Sequence, residues 1–156
     1  MNLVPKKFFI TSGCAVSKVS DLNAFDEALK AAKIGEQNLV SVSSVLPIGA
    51  KQVPVRELPM GSITHCVLAQ MRGGEGEMIS AGIAYAFRKD GKGGYVAEGH
   101  MHGTKKALKE VLEWKMTEMA KLRAIELKTI HYAIEELSTP MDHYGACVAS
   151  AVFVEF

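Results

Sequence analysis

Residues 79–87 alternate without a break. Ile79, Ala81, Ile83, Tyr85 and Phe87 share one face of an extended strand, and Ser80, Gly82, Ala84 and Ala86 share the other. The bulky face has to be buried, and the small face lets a further layer approach closely. A chain with such a strand is expected to stack layers on both sides of a sheet. The final stretch, residues 146–156, points the same way. Its run Ala146-Cys147-Val148-Ala149-Ser150-Ala151 is explained by two stacked sheets.

The other segments fit that plan. Residues 7–12 read as a first strand ended by Gly13. Residues 21–33 read as a short helix, with Ser20 or Asp21 as N-cap and Gly35 as its stop. Residues 37–46 form a β-rich run closed by Pro47, and residues 50–60, with Pro54 and Pro59, form an extended loop. A strand over 62–71 and a turn over 72–77 follow. The turn over 89–94 leads into a strand over 95–102. Thr104 caps a long helix to about Arg123, with Leu108, Val111, Leu112, Met119 and Leu122 as its apolar stripe. Residues 127–137 and 146–156 are two closing strands. The order predicts an α+β domain of mostly antiparallel sheets with the helices outside.

With 156 residues the chain suits one domain with one sizeable core. Its net charge of +1 gives no reason to expect nucleic-acid or anionic-membrane partners. No apolar stretch approaches the ~18 residues of a membrane span, and the N-terminus lacks a signal-peptide pattern. Cys14, Cys66 and Cys147 are far apart in sequence, which fits a cytoplasmic protein without a disulfide framework.

Several residues carry candidate chemistry. The pair Ser43-Ser44 ends the 37–46 run just before Pro47. A serine in a strained backbone can attack the carbonyl of the residue before it, although most serine pairs do nothing of the kind. On the first helix, Leu22, Phe25 and Leu29 define a core-facing stripe, and Asp26 stands on it. A carboxylate there either snorkels out or meets a cation. A guanidinium suits it, because two parallel N–H groups match two carboxylate oxygens. Glu98 lies between Ala97 and Gly99. It either faces solvent or, with Gly99 leaving room for a ligand or another backbone, serves as an acid. His100 and His102 make at most half a metal site, and no metal is expected. The run Gly73-Gly74-Glu75-Gly76 lacks the context of a phosphate loop and reads as a turn.

Taken together, these pieces resemble the pyruvoyl-dependent arginine decarboxylases. The resemblance spans nearly the whole chain. It includes Leu22-Asn23-Ala24-Phe25-Asp26 with Ala28-Leu29, Gly35, Asn38-Leu39, Val42-Ser43-Ser44-Val45-Leu46-Pro47, Leu58-Pro59-Met60-Gly61 and Glu98-Gly99. The block from Asn38 through Ser43-Ser44 to Pro47 is the most specific. The resemblance implies a four-layer αββα sandwich that cleaves itself into residues 1–43 and 44–156. Ser44 would become a pyruvoyl group, which forms a Schiff base with L-arginine and yields agmatine and CO2. It also implies that Asn38 assists processing, that Glu98 donates the proton, and that Asp26, with Leu29 beside it, binds the substrate. The implied assembly is a homotrimer of cleaved protomers, with a hexamer as an extension, and with active sites between neighbouring subunits. Two other readings stay open. One is a pyruvoyl decarboxylase for another amino acid such as histidine. The other is an uncleaved, non-enzymatic oligomeric binding domain.

Overall fold

The computed structural model describes residues 1–156. In chain order the elements are β1 (Lys7–Ser17), α1 (Asp21–Ala31), β2 (Asn38–Ser41), β3 (Val45–Leu46), β4 (Lys51–Gln52), β5 (Ile63–Gly73), β6 (Met78–Phe87), β7 (Gly94–Met101), α2 (Lys105–Arg123), β8 (His131–Ser138) and β9 (Tyr144–Val154). The first sheet has the order β2-β5-β9-β1-β4 and the second β3-β7-β6-β8. Pairing is antiparallel except for β1 with β4 and β2 with β5. The sheets face each other across a core that includes Phe8, Val67, Ile79, Ile83, Val96 and Phe153. Helix α1 covers the outer face of the first sheet, and α2 that of the second. The molecule is the αββα sandwich that the resemblance implies, with the stacked layers that the alternation predicts.

Strand β6 shows why. Ile79, Ala81, Ile83 and Tyr85 fill the space between the sheets, while Ala84 and Ala86 lie under α2. Gly82 is the tightest point: a Cβ there would stand 2.7 Å from Cγ1 of Ile134 on β8. Strand β9 is small on both faces for the same reason. Cys147, Ala149 and Ala151 meet the second sheet, and Ala146, Val148 and Val152 meet α1.

Helix α1 begins where predicted, with the Ser20 hydroxyl accepting the Asn23 N–H at 3.0 Å. It ends at Ala31, two residues short of the expected Lys33, which itself adopts φ 65°. The buried Thr11 hydroxyl donates to the Ala32 carbonyl at 2.7 Å and ties this helix end to β1. Gly13 does not end β1, which runs on to Ser17. A Cβ at Gly13 would lie 2.9 Å from the Ala28 carbonyl oxygen, so the glycine is what lets α1 settle on the sheet. That close approach also corrects the helix stripe. Ala24, Ala28 and Ala32 face the sheet, Phe25 and Leu29 flank them, and Leu22 is 61% exposed. Asp26 is exposed too, so it needs no buried cation to justify it.

Helix α2 is capped by the Thr104 hydroxyl, which accepts the Ala107 N–H at 3.1 Å. Its buried row is Leu108, Leu112 and Met116, at i, i+4 and i+8. Leu122 was expected on the stripe but lies off that row and is 83% exposed. Residues 37–46 are not one strand. They split into β2 and β3, which belong to different sheets. The 50–60 loop contributes β4, two residues paired with the edge of β1.

Candidate active site

The break between β2 and β3 creates the site. Strand β2 pairs with β5, and its register continues one residue further, where the Val42 N–H donates to the Cys66 carbonyl at 2.9 Å. Strand β3 pairs with β7, and one residue before it the Ser44 carbonyl accepts the Val96 N–H at 2.9 Å. Ser43 is therefore the single residue between an anchor on the first sheet and an anchor on the second. Ser43 is exposed, Ser44 is half-buried, and Leu46 is fully buried two residues on. Neither serine adopts a left-handed backbone. The fold anchors the pair at both ends.

Ser43 and Ser44 line an open pocket of about 470 Å³ together with Glu98, Trp114, Lys115 and Glu118. That volume suits a small amino-acid-sized ligand, since such sites run from ~300 to 1,000 Å³. Glu98 projects from β7 into this space and is exposed in the single chain. Gly99 does not leave room for a ligand. A Cβ there would meet Leu108 Cδ1 at 3.0 Å and Leu112 Cδ2 at 3.3 Å, so its small size serves the packing of α2. The ammonium of Lys115 donates to the Glu98 carbonyl at 2.8 Å. Trp114, Lys115 and Glu118 were not anticipated. The one signal in the sequence was a tryptophan on the polar face of an amphipathic helix, and Trp114 is 63% exposed.

The other predicted residues stand elsewhere. Asn38 opens β2, and its side-chain amide donates to the Gly61 carbonyl at 2.9 Å. The backbone N–H of Gly61 donates to the Glu36 carbonyl at 2.7 Å, and the Gln37 side chain donates to the Leu58 carbonyl at 3.0 Å. The motif Leu58-Pro59-Met60-Gly61 thus clamps the start of β2, and Gly61 needs to be glycine because its φ is +77°. Asp26 and Leu29 lie on α1. None of Asn38, Asp26 and Leu29 lines the pocket that holds Ser44 and Glu98.

Several side chains have other occupations. His102 pairs with Glu77, and the Glu77 carboxylate also accepts the Gly74 N–H at 2.9 Å. That backbone donor first, and His102 with it, hold the Glu77 carboxyl below its usual range. The 73–76 glycine run is thus a turn closed on its own carboxylate. All three cysteines are free thiols. Burial, reinforced by Cys14, pushes the Cys147 thiol up to about 12, which leaves it protonated and a poor nucleophile at neutral pH. Burial also raises Cys66. No helix is long and apolar enough to cross a membrane.

Comparison with known proteins agrees with this geometry. A solved pyruvoyl-dependent histidine decarboxylase superposes with a TM-score of 0.52 over 64% of this chain and 53% of its own, at 15% identity, a likeness of fold. The pyruvoyl-dependent arginine decarboxylase of Methanothermobacter thermautotrophicus is 34% identical over 154 residues, covering 98% of this chain and 99% of the relative. That of Methanopyrus kandleri is 34% identical over 154 residues, covering 96% and 97%. The pyruvoyl-dependent arginine decarboxylase 2 of Methanosarcina mazei is 41% identical over 108 residues, covering 65% and 58%. The family model for pyruvoyl-dependent arginine decarboxylase matches residues 7–156. This chain belongs to the pyruvoyl-dependent arginine decarboxylase family.

Proposed function

We propose that the chain cuts itself between Ser43 and Ser44 and, with a pyruvoyl group at residue 44, decarboxylates L-arginine to agmatine and CO2. The observation that carries this reading is the placement of Ser43. It alone spans two backbone anchors on opposite sheets, next to a pocket shared by Ser44 and Glu98.

In this reading, Ser44 Oγ attacks the Ser43 carbonyl carbon. The Ser43–Ser44 C–N bond breaks, an ester to Ser44 Oγ forms, and the Ser44 nitrogen gains the proton. Loss of the Ser44 Cα proton then breaks the Cβ–Oγ bond. Ser43 leaves as a carboxylate, with residues 1–43 released from covalent linkage. The dehydroalanine at residue 44 takes up one water and releases one ammonia to become the pyruvoyl group. Holding Val42 on β5 and Ser44 on β7 keeps the attacking oxygen and the carbonyl together, which is the proximity term of such a reaction.

Residue 44 fits its role. It is half-buried and held through its own carbonyl, and it faces a pocket of the right size. When formed, the pyruvoyl group supplies an electron sink for loss of CO2. Glu98 supplies the proton that replaces the lost carboxylate. Asp26, with Leu29 beside it, takes the guanidinium, and Asn38 serves processing. Within one chain these three residues stand away from the pocket. We therefore place them in the site of a neighbouring copy, in a homotrimer that two such rings can extend to a hexamer. Exposed apolar side chains in and beside the crossing segment, among them Val42, Val45 and Ile48, support that assembly.

The test is the intact mass of the denatured protein, wild type against Ser44→Ala. The wild type is expected as two fragments, the larger one lighter by one ammonia than a fragment starting at serine. Ser44→Ala is expected as one chain with no agmatine formed. Normal cleavage of Ser44→Ala would overturn the mechanism. A wild type that stays whole and inactive would favour a binding domain.

A further inference from the structure

We infer that Lys115 is a positioning residue for Glu98. This deepens the reading of Glu98 as the proton donor and rests on it. Strand β7 is only partly paired on its outer side, because β3 covers just Gly94 and Tyr95. In an antiparallel ladder, alternate residues send their N–H and C=O groups to the same side. The Val96 N–H points outward to Ser44, so the N–H and C=O of Glu98, two residues on, also point out of the sheet edge. There they have no strand to bond.

Lys115 answers that open carbonyl. Its ammonium reaches over the edge from α2 and donates to the Glu98 oxygen at 2.8 Å. Gly99 lets α2 lie close over this edge, since a Cβ there would stand 3.0 Å from Leu108 Cδ1 and 3.3 Å from Leu112 Cδ2. The stem of Lys115 rises from the turn between Leu112 and Met116, which are fixed in the core beneath. The lysine therefore pins the backbone of the candidate acid to a rigid helix, in the same pocket as Ser43 and Ser44. It is the one cation lining that pocket. A backbone free to swing at residue 98 would carry the carboxyl off the carbon it must protonate. Misplacements of about 1 Å are known to lower rates by up to ~100-fold.

The experiment compares wild type, Lys115→Met and Lys115→Arg in three measurements. They are intact mass for cleavage, amide hydrogen exchange of residues 94–101, and steady-state kinetics with arginine. Lys115→Met is expected to cleave fully and to exchange faster at the Gly99 and Met101 amides, which face β6 and are protected by that ladder. Its kcat is expected to fall about tenfold to a hundredfold with KM changed by less than about threefold. Lys115→Arg, which can still donate to the carbonyl, is expected to recover most of the rate. An unchanged kcat in Lys115→Met overturns the inference. So does a loss confined to KM, a loss of cleavage, or a failure of Lys115→Arg to restore the rate. A wild type that cleaves but makes no agmatine instead sinks the underlying reading of the site.

Discussion

Insertion of one glycine between Val42 and Ser43 separates anchorage from chemistry. The serine pair is untouched, and so are the pocket residues. What changes is the span between the Val42 anchor on Cys66 and the Ser44 anchor on Val96. One residue adds up to about 3.3–3.6 Å of reach, so the crossing segment goes slack. Fixing one residue's backbone costs about 1–2 kcal/mol. Two residues, the glycine and Ser43, now have to be ordered before Ser44 Oγ meets the Ser43 carbonyl. The added barrier is about 2–4 kcal/mol. At about 1.36 kcal/mol per factor of ten, cleavage should slow roughly thirtyfold to several hundredfold. The assay is a time course of denatured masses on freshly synthesised chain, with a glycine inserted in the distant turn at Gly91 as control. The control should cut like wild type. If the Val42–Ser43 insertion also cut at the wild-type rate, double anchorage would not be what prepares the bond.

Two further predictions test other parts of the molecule. Asp26→Asn should cleave normally but raise the KM for arginine by about 10- to 150-fold, the loss of a charged hydrogen bond worth about 1.5–3 kcal/mol. An unchanged KM would favour a substrate without a guanidinium. Glu77 has a carboxyl held below its ordinary value of 4.5, chiefly by the Gly74 N–H. Its contribution to stability is full above that value and fades as the pH falls from there through the lowered one. Glu77→Gln should therefore lower stability at neutral pH and converge on wild type at acid pH, which flattens the acid side of the profile. Melting curves across pH check this, and an acid limb as steep as wild type would contradict it.

The sandwich was legible because alternation is a local signal. Small residues at Gly82, Ala84 and Ala86 announce a covering layer whichever element supplies it. Helix caps at Ser20 and Thr104 were equally plain, since one hydroxyl and one N–H three residues on decide them. The stripe on α1 misled because apolar size was taken as the mark of burial. With Gly13 beneath it, the helix comes too close to the sheet for large side chains, and alanines take the inner face. Asp26 then needs no buried partner, so its candidacy rests on family likeness and not on helix geometry. Trp114, Lys115 and Glu118 were missed because helical spacing shows which face is polar but not which strand edge it overhangs.

The split of residues 37–46 was beyond local reading for a further reason. Propensity sees β-prone residues on either side of the serines, and no residue in the run demands a break. The break is set by partners far along the chain, Cys66 for Val42 and Val96 for Ser44. The same partners explain why a cut there is compatible with the fold. Strand β1 pairs with β9 along eleven positions, from Lys7 with Val154 to Ser17 with Tyr144. Helix α1 lies across that ladder, and β2 stays on β5. On the other side of the bond, β3 stays on β7 with Leu46 in the core. The peptide bond between Ser43 and Ser44 is thus a covalent link between segments that each sheet already holds without it. Breaking it, as the proposed cleavage requires, would free two chain ends at the pocket without removing any of these ladder pairings.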